Sequence, residues 1–82
     1  MIQPSSALNA PNLHIAREVL RWAVLRLQQG RIESASLDAR VLLEYVLGVS
    51  REELLFSLDL AITSEQYASL EILVEKRIEH QP

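Results

Sequence analysis

Between Pro11 and Pro82 the chain contains no proline and only two glycines, Gly30 and Gly48. The intervening segments are built mainly from Leu, Ala, Glu, Arg, Val and Ile, a mixture that favours helices over strands. With 82 residues and 49% hydrophobic content, one compact domain with a single thin core is expected, since chains of this size bury somewhat over ~60% of the surface their unfolded form exposes. The fold class that follows is all-α, a bundle of four to five helices.

Read along the chain, residues 1–12 are rich in Ser, Asn and Pro with scattered apolar residues, which reads as a flexible N-terminal arm. From Leu13 to Gln29, Ile15, Val19, Trp22, Ala23 and Leu27 recur at helical spacing. Asn12 stands where an N-cap belongs, and Gly30 can take the left-handed conformation at the other end. Ile32 to Ser36 is a connector, and Ser36 is the expected cap of a second helix through Leu37, Val41, Leu42, Tyr45 and Val46 to a stop at Gly48. Ser50 and Glu53 have the spacing of a capping box before Leu54, Leu55 and Phe56, so a short third helix is expected there. After a break over Ser57 to Ile62, Thr63 and Gln66 offer a second box. The helix behind it carries Tyr67, Leu70, Val74 and Ile78 as its stripe, with Leu73 beside them and Glu71, Glu75 and Glu79 largely off it. The bundle thus covers residues 13–80, with 81–82 left over.

Several chemistries find no residues to carry them. His14 and His80 lie at opposite ends of the folded segment, without metal-ligand spacing, and no cysteine exists for a thiolate site or disulfide. No Ser sits in a Gly-x-Ser-x-Gly elbow, and two isolated glycines make no phosphate or dinucleotide loop. Glu52 and Glu53 belong to a helix start rather than to acid–base work. A formal charge of −3 offers no general attraction to nucleic acid or an anionic membrane. No apolar run approaches the ~20 residues of a membrane span, and the N-terminus lacks a signal-peptide pattern, so a cytoplasmic protein is expected. A monomer is the expected state. Trp22 and Phe56 are expected in the core. Asp38 and Arg40 are expected to serve as a helix-start acid and a surface ion pair, with a docking epitope as the other reading.

The order of these segments resembles the N-terminal domain of the HemK/PrmC family of protein glutamine methyltransferases. The resemblance rests on Ile15-Ala16-Arg17-Glu18-Val19-Leu20-Arg21-Trp22-Ala23, then Ser36-Leu37-Asp38-Ala39-Arg40-Val41-Leu42-Leu43-Glu44-Tyr45-Val46-Leu47-Gly48. Arg51-Glu52-Glu53-Leu54-Leu55 and Leu73-Val74-Glu75-Lys76-Arg77 complete it, so that it covers about residues 13 to 82. It implies that residues 81–82 begin a linker to a separate domain, which binds S-adenosylmethionine and methylates the glutamine of the Gly-Gly-Gln motif in peptide-chain release factors. The chain itself then carries no catalytic, cofactor or metal residue, and its implied role is to help recognise the release factor. Arg17, Arg21, Arg40 and Arg77, as polar positions expected to face outward, are the candidate partner contacts.

Two other classes stay open at this point. Ser36-Leu37-Asp38 at the start of a second helix is similar to the attachment site of acyl carrier proteins, although Ala35 stands where those carry Asp and the charge is less negative. A generic helical adaptor with a groove for a partner helix is the other.

Overall fold

The computed structural model describes residues 14–80. The expected arm over 1–12, the Asn12 cap, Leu13 and the linker start at 81–82 lie outside the described residues. Strand β1 (His14–Ile15) leads into α1 (Ala16–Gln29), followed by α2 (Ala35–Leu47) and the short α3 (Arg51–Leu55). Strand β2 (Ala61–Ile62) and α4 (Ser64–Glu79) complete the described chain. The molecule is a small helical domain, as the composition predicts, with one two-stranded antiparallel ladder that the composition does not announce.

That ladder corrects the start of the first helix. His14 pairs with Ile62 and Ile15 with Ala61, which holds the chain extended up to the helix. Ile15 then occupies the cap position without a side-chain cap. The amides of Ala16 and Arg17 donate instead to the carbonyls of Leu60 and Leu58, both at 2.9 Å. Backbone from a distant loop thus satisfies donors that a capping side chain ordinarily takes. Two-residue strands have no period to read, which is why the sequence shows none.

Helix ends follow the expected chemistry in three cases and depart from it in two. Gly48 is left-handed at φ 68°, and Val49 donates to Glu44 at 3.1 Å, closing α2 in a Schellman turn. Both capping boxes form: Glu53 N–H donates to Ser50 Oγ at 3.1 Å, and Gln66 N–H donates to Thr63 Oγ1 at 3.0 Å. Their return bonds, from the amides of Ser50 and Thr63, are 2.8 and 2.9 Å long. Gly30, however, is not left-handed; its φ is −83° and Arg31 takes φ 68° one residue later. The Schellman bonds shift with it, from Arg31 to Gln28 and from Ile32 to Leu27. Ser36 does not cap α2 either, because Ser34 occupies that position, without a side-chain bond, and Ser36 is exposed within the first turn.

Cross-helix contacts set the directions. Arg26 near the end of α1 meets Glu75 near the end of α4, while Asp38 at the start of α2 meets Arg77 at the end of α4. Helices α1 and α4 therefore run the same way from the paired strands, and α2 runs against both. Ala16, Val19, Ala23 and Leu27 of α1, Ala35, Ala39 and Leu43 of α2, and Leu70 and Val74 of α4 are buried, joined by Ile32, Leu54 and Ile62. Alanines on the facing sides of α1 and α2 let those backbones approach closely. No described helix is long and apolar enough to cross a membrane.

Two core expectations change. Phe56 is 92% exposed, because α3 ends at Leu55 and only Leu54 of that short helix turns inward. Trp22 is half-buried rather than central, packed against the core and tilted against Tyr67 at 5.4 Å between ring centroids.

Candidate functional site

The four arginines singled out from the sequence fall at three places and do not form one cluster. Arg17 and Arg21 are exposed and one turn apart on α1; Arg17 donates to Asp59 at 2.6 Å. Arg21 makes no ion pair among the described residues. Arg40 is half-buried and donates to Glu44 one turn on, at 3.2 Å. Arg77 donates through Nε to Asp38 Oδ2 at 2.8 Å, tying α4 to α2. Asp38 is therefore an inter-helix anchor as well as a first-turn acid. The most complete ion pair involves residues the sequence does not single out: Arg26 donates twice to Glu75, both bonds at 2.7 Å. Arg26 and Glu75 sit on the edges of their apolar stripes, and nothing in either helix alone signals that the two edges meet.

Helix α2 is apolar on two opposite sides. Ala35, Ala39 and Leu43 face inward, while Leu37, Val41 and Tyr45, also spaced by four, are 51%, 48% and 76% exposed. The sequence reading named the outer three, with Leu42 and Val46, and none of the inner three. Separating the two i, i+4, i+8 sets distinguishes them, but two of the inner residues are alanines and give the weaker apolar signal. Where Tyr45 approaches α4, an open groove of about 650 Å³ is lined by Tyr45, Val46, Ile72 and Leu73, with Glu65, Gln66 and Ser69 alongside. Ile72 is 57% exposed. Leu55, Phe56 and Leu60 form the other conspicuous set of exposed apolar side chains.

At the strand end, His14 stacks on Tyr67 with centroids 4.4 Å apart and rings 12° from parallel. Burial, and then the charge of Glu71 and a hydrogen bond to it, push the Tyr67 hydroxyl above the usual tyrosine range. His80 sits at the other end of the bundle, its Nδ1 2.8 Å from the Lys76 carbonyl oxygen. Among the described residues no group of three or more His, Cys, Asp or Glu is gathered as a metal site would require. The glycines make no cradle for a nucleotide-like cofactor. A Cβ on Gly30 would meet Ile78, so that position serves helix packing, and Gly48 is a helix stop in open space.

Comparison with known proteins brings these features under one family. Residues 18–82 match the family described as the PrmC N-terminal domain. The chain belongs to that family. A relative of this PrmC N-terminal domain, the bifunctional methyltransferase of Rickettsia felis, is 36% identical to it over 66 residues, which is 80% of the chain and 12% of that protein. The chain thus spans about an eighth of that relative's length. No solved structure gives a significant match. The family match covers all four helices of the domain except the first two residues of α1, and includes the Asp38–Arg77 and Arg26–Glu75 ties. The carrier likeness, by contrast, rests on Ser36 and its two neighbours alone.

Proposed function

We propose that this bundle is the non-catalytic substrate-recognition domain of a protein glutamine methyltransferase, helping to hold a peptide-chain release factor while a separate domain methylates the glutamine of its Gly-Gly-Gln motif. The family match is the observation that carries this reading. The name of the Rickettsia relative, a methyltransferase far longer than the chain, supports it as well. S-adenosylmethionine would supply the methyl group. The described residues do not fit that cofactor, since they offer no glycine-rich strand-to-helix turn, so the domain beyond this one would bind it.

A recognition domain suits such chemistry, because binding energy collected far from the reacting amide can be used to position it. Exposed apolar side chains on α2 and α4 are the kind of surface such contacts use. Arg17 and Arg21, exposed together on α1, are the arginines of the original four with the freest access to a partner. Calorimetric titration of this chain with a bacterial release factor, beside the full-length methyltransferase, tests the reading. Binding by both is expected. Binding by the full-length enzyme alone would move recognition to the other domain and leave this bundle a structural part.

A further inference from the structure

An outward-facing helix in a small bundle ordinarily turns charged and polar residues to water. The outer side of α2 instead carries Leu37, Val41 and Tyr45, spread over about 12 Å of helix axis. This lane continues at Tyr45 into the groove shared with α4, whose far wall is Ile72 and Leu73. No Lys, Arg or His lines the groove. The polar groups beside it are Glu65, Gln66 and Ser69, and Gln66 is committed to the Thr63 capping box. Glu65 is exposed and makes no ion pair among the described residues. The groove is open rather than enclosed, and its apolar walls suit side chains presented from a second surface.

We infer that the groove between α2 and α4, with the outer lane of α2, docks a cationic amphipathic helix of a protein partner. Apolar side chains at i, i+3 or i+4, and i+7 of that helix pack along Val41, Tyr45 and Ile72, and a Lys or Arg beside them pairs with Glu65. The charge argument favours such a partner over a second copy of the chain, which would bring one net charge of −3 against another. The inference rests on the reading that the domain contacts a protein, and it assigns one face to that contact. The groove also lies toward the start of α4, away from its end at Glu79.

The test uses the full chain, isotope-labelled, with two short amphipathic helical peptides as probes, identical in their leucines but flanked by Lys in one and by Glu in the other. A release factor is titrated in parallel. The Lys-flanked peptide is expected to shift the amides of Tyr45, Val46, Glu65 and Ile72, and Ile72→Glu to weaken it about tenfold. Glu65→Lys should reverse the preference toward the Glu-flanked peptide. Leu25→Glu, at an exposed apolar site on α1 outside the groove, should leave binding of both peptides unchanged. All three positions are exposed, and unchanged melting temperatures confirm that the fold is intact. If the release factor binds and the groove variants weaken it equally, the partner and the face are joined. Release-factor binding indifferent to those variants would overturn the docking face and leave the recognition reading intact. Peptide binding at the groove without release-factor binding would keep the face and remove that partner. Absence of any charge preference, or amide shifts that grow with chain concentration alone, would overturn the inference.

Discussion

Gly30 lies so close to Ile78 that a Cβ built on it would sit 2.6 Å from Cγ1, with two more Ile78 carbons inside 3.0 Å. Its lack of a side chain therefore serves helix packing, not backbone conformation. The left-handed position falls on Arg31, a residue with a Cβ to accommodate. Gly30→Ala should destabilise the domain by about 1 to 3 kcal/mol, the usual cost of forcing one carbon into a packed contact. Arg31→Gly should be neutral or stabilising by up to about 1 kcal/mol, since it relieves a left-handed non-glycine residue at some cost in unfolded-state entropy. Urea denaturation of both variants checks the assignment; a neutral Gly30→Ala beside a destabilising Arg31→Gly would overturn it.

Leu43 is fully buried, whereas Leu42 packs against the core from its edge. Leu43→Ala should cost on the order of 2 to 5 kcal/mol, enough to unfold so small a domain. Leu42→Ala should cost visibly less. Thermal melts of the two variants decide it, and a reversed order would mean that α2 is rotated about its axis relative to the bundle.

Much of this was legible in the sequence because it is local. Capping boxes at Ser50 and Thr63 and the stop at Gly48 need only residues within one turn, and all three form. What escaped depends on contacts across the fold. The strand pair between His14–Ile15 and Ala61–Ile62 joins segments too short to carry a period. Its consequence, a helix start capped by the carbonyls of Leu58 and Leu60, could not be read from residues near Asn12. Phe56 looked like core because it follows two leucines, but a helix of five residues turns only one of them inward. The docking face was hidden for a different reason: α2 is rich enough in apolar residues to fill two stripes, and composition does not say which one the bundle uses.

The two inter-helix ion pairs should separate stability from recognition. Asp38 and Arg77 are partly buried and hydrogen-bonded, so a double-mutant cycle with Asp38→Asn and Arg77→Gln should give a coupling of about 1 kcal/mol. Arg26 and Glu75 should couple at least as strongly, given their two-bond geometry. Arg77→Ala would then weaken partner binding only through lost stability. Arg21→Ala, which breaks no ion pair among the described residues, should raise the Michaelis constant for release factor in the full-length enzyme without moving the melting temperature. An unchanged constant would remove Arg21 from the contact surface.

Tyr67 makes a prediction about alkaline pH whose sign follows from the direction of its shift. Burial and the neighbouring Glu71 hold its proton more tightly in the folded chain than in the unfolded one, where the phenol titrates near about 10. Below that value both states are protonated and the group adds no pH dependence. As pH rises through the interval between the unfolded and folded values, the unfolded chain loses its proton first, and stability falls. Tyr67→Phe should therefore flatten the alkaline limb of the stability curve. The replacement keeps an aromatic ring against His14 and Trp22, so the fold is expected to persist. Denaturant midpoints measured from neutral pH to well above 10 for both proteins provide the comparison, and parallel curves would show that the Tyr67 hydroxyl titrates alike in the folded and unfolded chain.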